Sequence, residues 1–431
     1  MLPHRGASAL VLQLRPQARR PLQPHRTMST DPSLLNEYDP TLPETFDGVH
    51  ATFADLRARC PVAHSTQFDG FWTLAKYEDI VNVLRDSDTY ITSVRNVVPG
   101  SSTTGRRPPL HLNPPEHTPY RRAIDRALSA NRVASMLPTT QRIARELATD
   151  LVALGEADLV EHFSAVLPVR LFGEWLSLDD QQTEHLATNS RAYIKAWEAF
   201  DKPGVVVAGE GLASLARELI ERRRVQPLDP TVDPTSSLLS ERDADGNPFP
   251  DVLLAGCVRQ VLVVGLVAPP ILLGSIAVHL SRDQQLQQQL RADRTLIPDA
   301  VEEFVRLYTP YRGFARTARE DVTIRGRAIP KDEPIALLYA SANRDEAVFP
   351  EPDRFILRRP NINQHIAYGR GPHMCAGVPL ARQLLRVSLD TLLQKTGHFE
   401  LNGEVRMSGM PEVGPLYVPL RMTPAIEVTN D

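Results

Sequence analysis

A mainly α-helical fold with small β-sheets is the class that the 431 residues predict, and three observations carry the expectation. Apolar residues recur three and four positions apart through most of the chain, the mark of amphipathic helices. Strand-like alternation is confined to short pieces. From about residue 31 there is no repeat, low-complexity tract or long linker, so residues 31–431 read as one unit.

Taken in order, Tyr77–Leu84 places Tyr77, Ile80, Val81 and Leu84 on one face, and Tyr120–Ala130 does the same with Tyr120, Ala123, Ile124 and Ala127. Thr140–Leu154 repeats the pattern through Ile143, Leu147 and Leu151, and Gln182–Phe200 and Leu212–Arg224 follow as helices. Val225–Pro250 then carries Pro227, Pro230, Pro234 and the turn signal Asp243-Ala-Asp-Gly-Asn-Pro, a surface connection. Asp251–Leu280 is the longest and most apolar helix, broken in its middle by Pro269-Pro270. A proline inside a helix removes a hydrogen bond and costs about 3 kcal/mol, so two together call for a reason. Asp299–Leu307 is a short helix, Asp321–Ile329 and Pro334–Tyr339 are the strand-like pieces, and Pro379–Thr396 is the last helix.

Composition narrows the function classes. A formal net charge of −4 favours neither nucleic acid nor an anionic membrane surface as partner. Cys60, Cys257 and Cys375 are an odd number in a long chain, a poor disulfide framework that fits a reducing, cytoplasmic compartment and leaves a cysteine free to act as ligand. Residues 261–278 carry no charge, long enough for a membrane span, but the mid-chain position and the prolines favour a buried central helix and no anchor. Residues 1–30 hold Arg5, Arg15, Arg19, Arg20 and Arg26 with no acid before Asp31. Pro16, Pro21 and Pro24 limit any amphipathic helix there, so a disordered basic tail ahead of a start at Met28 is the preferred reading, and a mitochondrial presequence the alternative.

The most specific segment is Tyr368-Gly-Arg-Gly-Pro-His-Met-Cys-Ala-Gly-Val-Pro-Leu-Ala-Arg382. Its glycines let the backbone approach a flat object, and Cys375 stands just before a helix whose amides favour a thiolate. The segment resembles the haem-binding loop of the cytochrome P450 family. That resemblance implies the P450 fold in a single haem domain, and haem b (iron protoporphyrin IX) with Cys375 as axial thiolate and metal ligand.

Other segments extend the resemblance over residues 31–420. Glu303-Phe-Val-Arg306 fits the family's E-x-x-R, where i and i+3 share a face, and Pro352-Asp-Arg-Phe355 offers Arg354 as the third member of a structural triad, with Arg358 as substitute. Asn113–Arg122 is similar to a family segment that implies His117 and Arg121 as propionate contacts; Arg316 and His373 occupy the other propionate positions. In the family a long helix crosses the haem opposite the cysteine and supplies an acid and an alcohol for proton delivery. Here Val267 and Ala268 stand in those places, within Val264–Pro270. Because Pro269 and Pro270 cannot donate to the carbonyls of Gly265 and Leu266, the expectation is an opened helix in which Gly265, Ala268 and Pro269 do part of the catalytic work by holding water, with a merely structural kink as the alternative.

The resemblance implies a haem-thiolate monooxygenase, an oxidoreductase that inserts one oxygen atom from O2 into a small organic substrate, with specialised metabolism the expected setting. Electrons come from a separate ferredoxin or flavoprotein reductase, and the protein is expected to be a monomer. Two alternatives stay open. One is a haem-thiolate enzyme of other chemistry (peroxygenase, NO reductase-like, isomerase or dehydratase), and the second a non-catalytic haem-binding protein. The pocket wall is expected from Tyr90–Leu112, Tyr193–Val207, Val261–Pro270 and Tyr311–Ala315, apolar through Val263, Val267, Ala268 and Phe314. Arg312 is read as facing solvent or propionate, or else as meeting a polar group of the substrate.

Overall fold

A computed structural model describes residues 36–100 and 105–425. The expectations for residues 1–30 lie outside the described residues. Every helix that the periodicity predicts is present, at Tyr77–Arg85, His117–Ala127, Leu137–Ala153, Asp180–Glu198, Lys202–Val225, Ile297–Leu307 and Val378–Lys395, and as a broken pair at Asp251–Val263 and Ala268–Arg282. Helices at Gly48–Arg59, Ala130–Ser135, Val166–Trp175, Pro234–Ser240, Gln284–Ala292 and Tyr339–Ala342 come in addition, and Pro234–Ser240, buried through Leu238, lies within the stretch expected as a surface connection.

Two differences have local causes. The helix expected from Leu212 begins at Lys202, through Gly204, Gly209 and Gly211, residues of poor helix propensity. Packing overrides propensity: a Cβ at Gly211 would lie 2.1 Å from Asn189 Oδ1, so glycine is what lets this helix close against Asp180–Glu198. The single helix expected over Asp251–Leu280 is two, because Val264 turns extended (ψ 131°) and Gly265 takes φ +81°. Pro269 and Pro270 thus open the second helix, where proline is tolerated, and the interior penalty does not arise.

The strands form a five-stranded sheet in the order Val62–Ser65, Phe71–Leu74, Pro334–Leu337, Ala315–Ala318, Tyr90–Ile91, in which Trp72 pairs with Ile335 in parallel and Ala315 with Ala336 antiparallel. A three-stranded sheet joins Glu156–Asp158, Pro419–Pro424 and Thr396–Leu401. Val322–Ile324 and Arg327–Ile329 pair through Arg325-Gly326, both at positive φ, the two-residue turn that suits strand twist. Arg406–Met407 and Pro415–Tyr417 make a second hairpin, whose tip returns to the site below.

The largest core packs Ala268–Arg282 against Ile297–Leu307 and Val378–Lys395, through Leu273, Ile276, Phe304 and Leu385. Asp251–Arg282 is the one stretch among the described residues long and apolar enough to cross a bilayer, and most of it lies inside the protein. This burial places the helix break beside the cysteine loop.

Candidate active site

The cysteine loop owes its shape to glycine. Gly369 and Gly371 take φ +69° and +72°, and a Cβ at position 371 would sit 2.3 Å from the carbonyl oxygen of Leu84. The turn brings Cys375 to the start of the Val378–Lys395 helix, and its backbone N–H donates to Tyr368 O at 2.8 Å. Burial pushes the Cys375 thiol up, while a backbone hydrogen bond at Gly377 and the charge of Arg121 work against that rise. Cys375 lines a cavity of about 370 Å³.

The other wall of that cavity is the broken helix. Gly265, Ala268 and Pro269 all line it, with Val263, Val267 and Phe314, so the apolar lining expected from sequence is present. Asn96, Tyr193, Val263 and Tyr311 show a contribution from each of the four expected wall segments. Arg312 meets none of its expected partners. It is 1% exposed, ion-paired with Glu44, and donates through Nε to Glu412 O at 2.9 Å. An acid 268 residues away in the chain captures it, which no local pattern announces.

One edge of the cavity gathers basic groups. Arg121, Arg316 and His373 line it, and the His117 ring lies 4.5 Å from that of His373. His117 Nε2 is buried without a hydrogen-bond partner, and the buried Arg316 donates through Nη1 to Ala315 O at 2.9 Å with no carboxylate at ion-pair distance among the described residues. Burial lowers His373 to about 3, helped by Arg316, His117 and Arg121, and lowers His117 to about 4, helped by Arg121. Arg121 also braces the cysteine loop: its Nε bonds Asp125 at 2.9 Å and its Nη1 bonds the carbonyls of Pro372 and Met374. Such an edge favours a ligand with anionic groups.

The expected triad is corrected in one member. Glu303 accepts from Arg306 Nε at 2.9 Å and Nη2 at 2.7 Å, both side chains wholly buried. Its second cation is Arg359, at 3.0 Å and 2% exposed. Arg354 points outward to Glu351 and is 70% exposed; only its carbonyl enters the network, accepting from Arg306 at 3.2 Å and Arg359 at 2.9 Å. Arg358, the substitute, pairs with Asp299 at 2.8 Å on the surface. Arg358 adopts φ +58°, a left-handed kink that turns the next side chain inward.

Sequence reading missed Glu412 and Ser408, which border this cavity or the void beside it. The available signal was an acid set between apolar residues in Met410-Pro-Glu-Val413; no spacing ties it to Val267.

Comparison with known proteins agrees with the geometry. The family model described as Cytochrome P450 matches residues 275–408. Mycinamicin IV hydroxylase/epoxidase of Micromonospora griseorubida is 34% identical over 81% of this chain and 89% of its own length. Linalool 8-monooxygenase of Pseudomonas putida is 31% identical over 86% and 96%. The solved structure of a cytochrome P450 from Chondromyces apiculatus matches with a TM-score of 0.81 at 27% identity, covering 90% of this chain and 98% of that one. Identity at this level across nearly the whole length of these relatives, on the same fold, means that the chain belongs to the cytochrome P450 family and is a haem-thiolate monooxygenase.

Proposed function

We propose that Cys375 is the axial thiolate of haem b, that His117, Arg121, Arg316 and His373 hold the propionates, and that Gly265, Ala268 and Pro269 border the place where oxygen reacts. The observation that carries this is Cys375 on the cavity wall, at a helix start, with the basic edge beside it. The residues fit the group: an orphaned Nε2 on His117 and a buried Arg316 without a carboxylate partner suit two propionates. Haem, when bound, supplies the iron that activates oxygen, with electron density pushed from the thiolate. The chain's own part is to hold that thiolate, exclude water with Val263, Val267 and Phe314, and bring protons in.

The substrate is a small, largely apolar organic molecule of specialised metabolism, as the apolar lining and the hydroxylase and epoxidase names of the relatives support. Those names favour oxygen insertion over the isomerase, dehydratase and NO reductase-like alternatives. We read residues 31–431 as a single haem domain, monomeric and cytoplasmic, fed by a separate ferredoxin or flavoprotein reductase. The bacterial sources of the relatives support the compartment and lend nothing to the mitochondrial alternative.

Cys375→Ala tests the assignment. The reduced carbon monoxide complex of the native protein should show the thiolate signature and that of the variant should not; an unchanged spectrum in the variant rejects Cys375 as the ligand.

A further inference from the structure

An acid and an alcohol stand beside the pocket on the tip of the Arg406–Tyr417 hairpin. Arg312 fixes that tip: its Nε donates to Glu412 O at 2.9 Å, its Nη2 to Ser408 O at 3.4 Å, and its backbone N–H to Pro411 O at 3.0 Å. Ser408 N closes the tip on Gly414 O at 2.8 Å. With its backbone clamped, Glu412 lines the main cavity, and so does Val267, which stands where the family resemblance places the helix acid.

Glu412 and Val267 also line a second void of about 30 Å³, whose mainly apolar wall includes Glu198 and Ser408 together with Tyr193 and Trp197. Ser408 Oγ is buried without a partner, and neither glutamate has an ion-pair partner among the described residues. A void of this volume has room for about two waters, and although most of its wall is apolar, Glu198, Ser408 and Glu412 offer the polar contacts that a buried water needs.

Resting on the haem assignment above, we propose that Glu412, with Ser408 and water in the adjoining void, carries protons into the pocket in place of the acid and alcohol that Val267 and Ala268 cannot provide. Each delivery moves one proton from the Glu412 carboxyl to pocket water, and the carboxylate takes one back from the Glu198 side. No oxidant or co-reactant enters the step.

The charged and titratable groups facing Glu412 fit this work. Burial raises its carboxyl to about 7, against a hydrogen bond from its own backbone and the pull of Arg312, and with the help of Glu198. Glu198 is itself raised by burial against Arg406, and Tyr311, in the same electrostatic neighbourhood together with Tyr193 and Cys375, is pushed up by burial and stays neutral. A donor whose pKa lies near the working pH is the efficient one.

The test uses holoprotein: native, Glu412→Gln, Glu412→Asp and Ser408→Ala. Each is first shown to give the reduced carbon monoxide spectrum, so a failure of the haem assignment appears there and not in the proton readouts. In the infrared, the native protein should show a protonated-carboxyl band that is lost as pH rises through about 7, and Glu412→Gln should lack it. With electrons from a surrogate ferredoxin and its reductase, and linalool as the test compound, oxygen consumption by Glu412→Gln should fall about tenfold or more and lose its pH step near neutrality. Glu412→Asp should restore part of both, and Ser408→Ala should slow the rate while keeping the step. A titrating band that persists in Glu412→Gln, or a native rate and pH profile in that variant, overturns the proposal.

Discussion

At the scale of residues, the network around Glu303 separates two arginines that are five positions apart and chemically identical. Arg359→Ala leaves Glu303 buried with one cation fewer, and stability should fall by about 3–5 kcal/mol, with haem lost during purification. Arg354→Ala removes only a surface pair and should stay within about 0.5 kcal/mol of native. Urea unfolding of the two holoproteins checks both; equal losses would return the triad to Arg354. Glu302 offers a pH test. Burial alone would raise its carboxyl, but His365, 3.6 Å away, and the hydrogen bonds from Arg382 outweigh that and hold it down at about 2, from an ordinary 4.5. A depressed folded pKa contributes stability that is complete above 4.5 and is lost as pH falls toward 2. The stability difference between native protein and Glu302→Gln should therefore shrink over that window, and a difference independent of pH in unfolding melts would contradict it.

Among the elements, the break between Asp251–Val263 and Ala268–Arg282 is the one that the site depends on. Gly265 at φ +81° makes it, and a Cβ there would approach Leu384 Cδ1 to 3.3 Å. Gly265→Ala should cost about 1–2 kcal/mol from the left-handed backbone alone. Pro269 stands in a first turn with no amide to lose, so Pro269→Ala should cost only about 0.4–1 kcal/mol, through a looser unfolded chain. Thermal unfolding ranks the two; a larger loss at Pro269 would mean that the prolines, not the glycine, hold the break open. The carbonyls of Gly265 and Leu266 still lack proline donors four residues on, so backbone acceptors remain at the cavity wall beside Val267.

For the whole molecule, tertiary contacts among the described residues begin at Asn36, which accepts from Thr66 N at 3.1 Å, and Glu37, which pairs with Arg327 at 2.9 Å. A chain starting at Met28 keeps all of these and should fold and bind haem with an unchanged reduced carbon monoxide spectrum. Loss of soluble holoprotein on that truncation would assign residues 1–27 a structural part.

Sequence alone determined what is contiguous along the chain. The cysteine loop was legible because its glycines, its histidine and Cys375 act within nine consecutive residues, and Glu303 with Arg306 because i and i+3 share a helix face. The helices were legible from periodicity, since each buries one apolar stripe. Tertiary structure alone decided that Arg359 and not Arg354 reaches Glu303, because a left-handed residue at 358 sets which side chain points inward. It alone placed Glu412 beside Val267, and Glu44 on Arg312. Partners that meet across more than a hundred residues are brought together by the packing of sheet, hairpin and helix, and the spacing of residues along a chain carries no record of that distance.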